Sequence, residues 1–263
     1  MINSALYREP VLLEPARHRG LRIGTLADFS IARTMHGVFL AATEIPQAAM
    51  EYPVVFVHTG VRDDAGRATV SPIALLGLTQ GENLYVDGPR WDARYIPAFI
   101  RRYPFLTANL RGTPAPGVML DMAWSGVSQT EGEPLFDADA QPAPALQRAI
   151  EFLERFDTEA QRTQLFCTRL VELDLLKEMK ADATLPDGAT LSVDGFFTID
   201  DEKLRTLPEA AVLEMHRNGM LALLNLHLAS TTHLRTMVER KARRGAAAPG
   251  NAAPEGAGSG SNG

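Results

Sequence analysis

The sequence predicts an α+β fold, with a β-rich, mostly antiparallel N-terminal half and a mainly helical C-terminal half that contains a small hairpin. Residues 1–125 carry short apolar segments separated by glycine, proline and acidic turns, which is typical of strands joined by loops. The intervals between these segments are shorter than the crossovers that parallel strands require, so antiparallel pairing is expected. Residues 145–244 repeat their apolar side chains with the spacing of amphipathic helices.

Apolar runs and turn residues predict the elements of the first half. The runs at 37–43 and 53–58 are nearly continuous, which is typical of strands buried on both faces. The acidic, glycine-containing segment 63–66 predicts a hairpin turn, and 81–83 predicts a second turn. Further strands are predicted at 68–70, 72–78 and 84–86, and short helices at 44–50 and 95–102.

Two consecutive helices are predicted at the start of the second half. Apolar residues with helical spacing begin at Leu146 and continue to Phe156. Thr158, followed by the acidic Glu159, is a typical N-cap, so a second helix is predicted from there. Its apolar stripe extends to Leu176.

The remaining C-terminal residues predict a small hairpin followed by three helices. The predicted elements are a turn at 186–188, strands at 190–193 and 196–199, and helices at 201–207, 208–217 and 220–243. Asp194-Gly195 is a typical two-residue hairpin turn, and Asp200 is a typical N-cap. Asn218-Gly219 predicts the end of a helix. Four basic residues in the last turn of the final helix suit the negative end of its dipole.

The domain organisation follows from a change of composition near residue 245. Residues 1–244 are expected to form a single α+β domain, β-rich over 1–125 and mainly helical over 145–244. Residues 245–263 contain six glycines and one charged residue, Glu255. Because a Gly/Ala/Pro/Ser segment of this kind has no side chains that could form a core, we expect a flexible, disordered tail.

Composition and charge exclude several classes of protein. The chain has 26 Lys and Arg against 32 Asp and Glu, a net charge of −6, which argues against binding to nucleic acid by bulk attraction. Its one cysteine, Cys167, excludes an intrachain disulfide and suits the reducing cytoplasm. The longest apolar run, 220–229, is about half a membrane span. With no signal-peptide pattern at the start, a cytoplasmic location without membrane insertion is expected.

Short motifs for catalysis, metals and nucleotides are absent from the sequence, so no cofactor is predicted. His36 and His58 lie on or beside predicted strands, where Glu44 could add an oxygen ligand. These three residues are a weak candidate metal site, and structural or surface roles are the alternative. His227 lies on an apolar helix face, which favours a core imidazole.

The densest group of recognition-type residues is segment 88–105, in which four arginines alternate with five aromatic residues. Tryptophan, tyrosine and arginine dominate interface hot spots, so the segment is a candidate docking surface with Trp91 partly exposed. The candidate residues are Arg90, Trp91, Arg94, Tyr95, Arg101, Arg102 and Tyr103. Two alternatives remain open. The arginines could form a pocket for a carboxylate or phosphate. Otherwise, the aromatic residues could enter the core while the arginines pair with Glu44, Glu51, Asp87 or Asp92.

Several motifs occur in order over about residues 10–240, namely Asp28-Phe29-Ser30, 51–57, 74–78, 81–87, 91–105, 195–204 and 227–230. Together they resemble the bacterial SapC-like family. The family is named after a gene at a surface-layer protein locus, so the resemblance implies a link to surface-layer production or export. It supplies no catalytic residues. Together with the missing catalytic motifs and the aromatic–arginine cluster at 91–105, this setting predicts an accessory protein that binds a protein client. A homo-oligomer and a metal-dependent enzyme using His36, His58 and Glu44 are the alternatives.

Overall fold

The computed structural model describes residues 6–108, 116–184, 188 and 190–247. The strands are β1 Pro10–Leu12, β2 Arg22–Ile23, β3 Gly37–Phe39, β4 Val54–Arg62, β5 Ala68–Leu75, β6 Val86–Asp87, β7 Arg90–Trp91, β8 Phe105–Ala108, β9 Gly117–Asp121, β10 Val127–Ser128, β11 Glu133–Pro134, β12 Leu176–Thr184 and β13 Thr190–Ile199. The α-helices are α1 Pro15–His18, α2 Ile45–Ala48, α3 Ala98–Arg101, α4 Pro144–Glu172, α5 Asp201–Arg205, α6 Glu209–Arg217, α7 Met220–Ser230 and α8 His233–Ala247. This order confirms the α+β class with a β-rich first half.

A five-stranded antiparallel sheet, with strand order β12-β13-β4-β5-β3, joins the two halves of the chain. Its central strand β4 begins with three fully buried residues, Val54, Val55 and Phe56, as its continuous apolar run predicted. The predicted turn at 63–66 connects β4 to β5, and Gly66 there has a positive φ of 76°. The antiparallel prediction is confirmed, although the sheet is not a simple meander, because β12 and β13 come from the second half.

The predicted hairpin at Asp194-Gly195 is wrong. Residues Thr190–Ile199 form one strand, β13, which pairs with β12 on one side and meets β4 at Phe197 on the other. The register shifts between Met179 and Ala181, where the β13 strand carries one extra residue and Gly195 has a positive φ of 79°. Asp194-Gly195 therefore forms a β-bulge rather than a turn, and both structures favour glycine for the same steric reason.

Helix α4 is continuous over 29 residues, so the predicted break at Thr158 is also wrong. The Thr158 hydroxyl donates to the carbonyl of Glu154 at 2.8 Å, four residues earlier in the helix, instead of capping a new one. The helix ends at Glu172, and Leu176 begins β12 rather than continuing the helical stripe. Its buried face carries Leu153, Phe156 and Leu170.

The last predicted helix is divided in two, α7 and α8, at Thr231 and Thr232. Their hydroxyls donate to the carbonyls of Leu228 and Ala229 at 2.7 and 2.8 Å, and their main-chain N–H groups bond to the same two carbonyls, which ends α7. Two predicted helix boundaries, the N-cap at Asp200 and the helix end at Asn218-Gly219, are confirmed. The side chain of Asp200 accepts from the first turn of α5, and Gly219, with a φ of 79°, separates α6 from α7.

The basic residues of α8 fasten this helix to the segment 82–92. Arg240 contacts the carboxylate of Asp92, and Lys241 pairs with Glu82 at 2.8 Å. Arg244 donates to two main-chain carbonyls of the same segment, at 2.6 and 2.7 Å. These basic residues were predicted to stabilise the end of their own helix. In the structure they also bind another part of the chain.

The remaining strands form three small antiparallel sheets, β1-β9-β8, β10-β2-β11 and β6-β7. Helix α8 continues to Ala247, and the rest of the predicted tail lies outside the described residues, as does most of the predicted turn at 186–188. Among the described helices, none has both the length and the apolar character needed to cross a membrane.

Candidate functional site

Trp91, at the centre of the predicted docking surface, belongs to the core. Its side chain is only 9% exposed, and its Nε1–H donates to the hydroxyl of the fully buried Tyr52 at 2.8 Å. The ring of Phe29 meets the indole edge-on at 6.0 Å. The expectation of a partly exposed Trp91 is therefore wrong, because the tight β6–β7 hairpin turns this side chain inward.

Tyr103 is also structural. Its side chain is buried, and its hydroxyl donates to Asp121 at 3.0 Å. The carboxylate of Asp121 is fully buried and accepts main-chain N–H groups of Arg8 and Glu9, so the pair fastens the N-terminal strand to β9. Burial, reinforced by the hydrogen bond to Asp121, raises the pKa of Tyr103 well above its usual range.

The arginines of segment 88–105 point to different neighbours. Arg90 is exposed and pairs with Asp87 at 2.8 Å. This is one of the pairings expected if the arginines bind nearby carboxylates while the aromatic residues enter the core. Arg101 lies 5.4 Å from the ring of Phe152, on helix α4. Arg102 stacks on Phe99 at 4.1 Å and on Phe156 at 4.7 Å. The seven candidate residues therefore do not form one continuous surface.

Arg94 and Tyr95 line a shallow concavity of about 550 Å³ with Gln47, Met50 and Glu51, which we call the Met50 concavity. The side chain of Met50 is 71% exposed there. The carboxylate of Glu51 accepts the main-chain N–H of Arg94 at 2.8 Å and that of Tyr95 at 2.9 Å. These bonds fix the loop backbone, so the concavity is preformed.

A second cavity, of about 300 Å³, opens between α3, α4 and the turn before α2, and we call it the Arg101–Glu44 cavity. Its lining includes Glu44, Arg101, Phe152, Arg155 and Phe156. The Glu44 carboxylate is buried, and it reaches back to the main-chain N–H of Ala41 at 2.8 Å. From the sequence, Glu44 was a candidate metal ligand and Arg101 a candidate docking residue, with pairing of the arginines to Glu44 or another nearby carboxylate as the alternative.

A third concavity, of about 570 Å³, lies on the five-stranded sheet and was not predicted from the sequence. Val57, Ile73, Leu75 and Phe196 contribute apolar side chains, and His36 lies at its border. The alternation of Ile73 and Leu75 along β5 was the available signal. However, the sequence pattern of an apolar sheet face is the same whether that face is packed against another element or open to solvent.

The structure does not bring the three candidate metal ligands together. The main chain of His36 bonds to Leu76 at one end of β5, whereas His58 lies opposite Val70 near the other end. Six residues of strand separate these positions, or roughly 20 Å at about 3.3 Å per residue. Glu44 lies off the sheet, and within the described residues no cluster of His, Cys, Asp or Glu has the arrangement of a metal site.

His227 is a buried, hydrogen-bonded core imidazole, as its helix face indicated. Its Nε2 accepts the main-chain N–H of Ile199 at 3.2 Å and lies 3.0 Å from the hydroxyl of Thr198. It therefore connects α7 to the end of β13. Burial lowers the pKa of His227 to about 4, because the charged imidazolium would lose its hydration.

Cys167 is expected to resist thiol reagents in the folded protein. It is 1% exposed on α4, and burial raises the pKa of its thiol to about 12. Because the thiolate is the reactive form, labelling by dithionitrobenzoate at pH 8 should be at least about 100-fold slower for the native chain than in urea. Equal rates in the two conditions would contradict this burial.

Comparison with known proteins supplies one match, to a protein family. Searches against curated proteins and against solved structures find no match. The model of the SapC family matches residues 13–237, which include the segment 88–105, both named cavities and the five-stranded sheet. This match covers most of the 263 residues, so the chain belongs to the SapC family.

Proposed function

We propose that this protein is a cytoplasmic accessory protein that binds an exported or surface-layer client through the Met50 concavity. The observation that carries the proposal is the exposure of Met50, at 71%, within a preformed concavity that Arg94 and Tyr95 also line. Methionine, tyrosine and arginine are enriched in the cores of protein interfaces. The family setting supports a client bound for the cell surface.

The side chains of this concavity indicate what the client segment carries. In the described part of the chain, no hydrogen bond or ion pair engages the guanidinium of Arg94. An acidic side chain of the client would complement it. The sulfur and methylenes of Met50 adapt to apolar partners of different shapes. The proposed client segment therefore presents an apolar residue next to an acidic one.

Photocrosslinking in the native bacterium tests this proposal. A photoreactive residue in place of Met50 is expected to give a discrete crosslinked species, which mass spectrometry identifies as an exported or surface-layer protein. Arg94→Glu in the same chain should reduce its yield by about tenfold or more, as at an interface hot spot. The same photoreactive residue at Leu165, which is equally exposed on α4, serves as the matched control and should not give this species.

Three results would overturn the proposal. The first is the same crosslinked species from both positions, which indicates non-specific capture. The second is an unchanged yield with Arg94→Glu. The third is a crosslink from position 50 to a second copy of the chain, which indicates a homo-oligomer rather than a client complex.

A further inference from the structure

The two arginines that line the Arg101–Glu44 cavity have guanidinium groups available to a ligand. Arg155 is exposed and donates its Nε–H to the carbonyl of Glu151 at 3.2 Å. Arg101 donates its Nε–H to the carbonyl of Ile96 at 2.8 Å. Neither forms an ion pair with any residue that the structure describes. Since guanidinium groups bind carboxylates bidentately, this side of the cavity favours an anionic group.

The buried end of the cavity carries the opposite charge. One oxygen of Glu44 accepts the hydroxyl of Tyr95 at 2.6 Å and the main-chain N–H of Ala98 at 2.7 Å, and the other accepts one further main-chain N–H. A carboxylate has about four acceptor positions, so one remains for a donor on a ligand. The Tyr95 hydroxyl also lies 3.5 Å from Arg101, which places the two opposite charges close together.

The walls and the size of the cavity limit what the charged groups can hold. Phe152, Phe156 and Ala98 provide apolar surface, and Glu159, at the edge, is already paired with Arg162 at 2.7 Å. A volume of about 300 Å³ is at the lower end of the range for small-molecule sites. It admits a compact molecule with one apolar substituent.

We propose that the Arg101–Glu44 cavity binds a free α-amino acid with an apolar side chain. Such a molecule carries an ammonium and a carboxylate on the same carbon atom, which matches the closely spaced Glu44 and Arg101. Arg155 would share the carboxylate, and the apolar side chain would lie against Phe152 and Phe156. This proposal does not rest on the client proposed above, because its ligand is a small molecule in a separate cavity, although Tyr95 contributes to both sites.

Isothermal titration calorimetry of the full chain with L-phenylalanine and L-leucine tests the site. At least one of them should bind saturably, with one molecule per chain. Two analogues separate the contributions: 3-phenylpropionate lacks the ammonium, and phenethylamine lacks the carboxylate. Each should bind about tenfold or more weakly than phenylalanine, the usual consequence of losing one charged hydrogen-bonding group.

Substitutions of exposed arginines provide the matched comparison. Arg155→Gln is expected to weaken amino-acid binding by about tenfold, and Arg101→Lys, which keeps the charge but removes the planar fork, should also weaken it. Arg148→Gln on the same helix, where Arg148 pairs with Glu133 outside the cavity, should change the affinity by less than about twofold. The proposal is overturned by the absence of binding up to about 10 mM, by an analogue that binds as tightly as phenylalanine, or by unchanged affinity in both cavity variants.

Discussion

Replacing Trp91 with alanine is expected to lower the free energy of unfolding by about 3–5 kcal/mol. The substitution removes a large buried side chain. It also removes the 2.8 Å hydrogen bond that the Trp91 Nε1–H donates to the hydroxyl of Tyr52. Surrounding side chains such as Phe29 cannot fill the space without moving. Urea unfolding followed by circular dichroism at 222 nm gives the free energy directly.

Two further variants separate the causes of this loss. Trp91→Phe keeps most of the apolar volume but removes the Nε1–H, so its cost should be smaller, about 1–2 kcal/mol. Arg90→Ala changes the exposed neighbour and should alter stability by less than about 0.5 kcal/mol. If Trp91→Ala were as mild as Arg90→Ala, Trp91 would not be a core residue and the docking interpretation would return.

Local signals in the sequence predicted the elements that depend on local interactions. Asp200 caps α5 with its own side chain, and Gly66 and Gly219 adopt the positive φ that their positions as turn and helix end require. The β4–β5 hairpin follows from two adjacent apolar runs with an acidic turn between them. In each of these cases, the residues that decide the structure lie within a few positions of one another.

Where the sequence was misread, a local signal was compatible with two structures. Asp194-Gly195 suits a hairpin turn and a β-bulge equally, and it is the pairing of β13 with both β12 and β4 that selects the bulge. Thr158 resembles an N-cap, but the buried stripe that includes Leu153 and Phe156 continues through it to Leu170. Packing between residues that are distant in the sequence selected between the alternatives. Such packing is difficult to predict from a single sequence.

The candidate sites were the least predictable part, because segment 88–105 is largely irregular. Periodicity identifies the inward face of a strand or helix, whereas in a segment with only a two-residue strand and a four-residue helix it gives no direction. Composition singled out Arg94 and Arg101 but could not show that they line different concavities. Glu44 lies far from both in sequence and joins Arg101 only through the fold.

Acidification is expected to destabilise the protein through His227. An imidazole has an ordinary pKa of 6.5, and burial lowers that of His227 to about 4 in the folded state. Between these values the unfolded chain binds a proton that the folded chain does not, so stability is fully present above about pH 6.5 and falls as the pH drops toward 4. The shift corresponds to a loss of roughly 3 kcal/mol across this window.

His227→Gln isolates this contribution. Glutamine offers an uncharged acceptor in place of Nε2 for the main-chain N–H of Ile199, and it does not titrate. The variant is expected to be less stable than the wild type at pH 7, since it packs less well, and the difference should shrink as the pH falls to 4. The other titrating groups are common to both chains. The difference between their free energies of unfolding in urea, measured at several pH values, therefore reports His227 alone. A stability difference that stays constant from pH 7 to pH 4 would show that the imidazole is not held in its neutral form. Convergence of the two curves would establish His227 as an uncharged connection between α7 and β13.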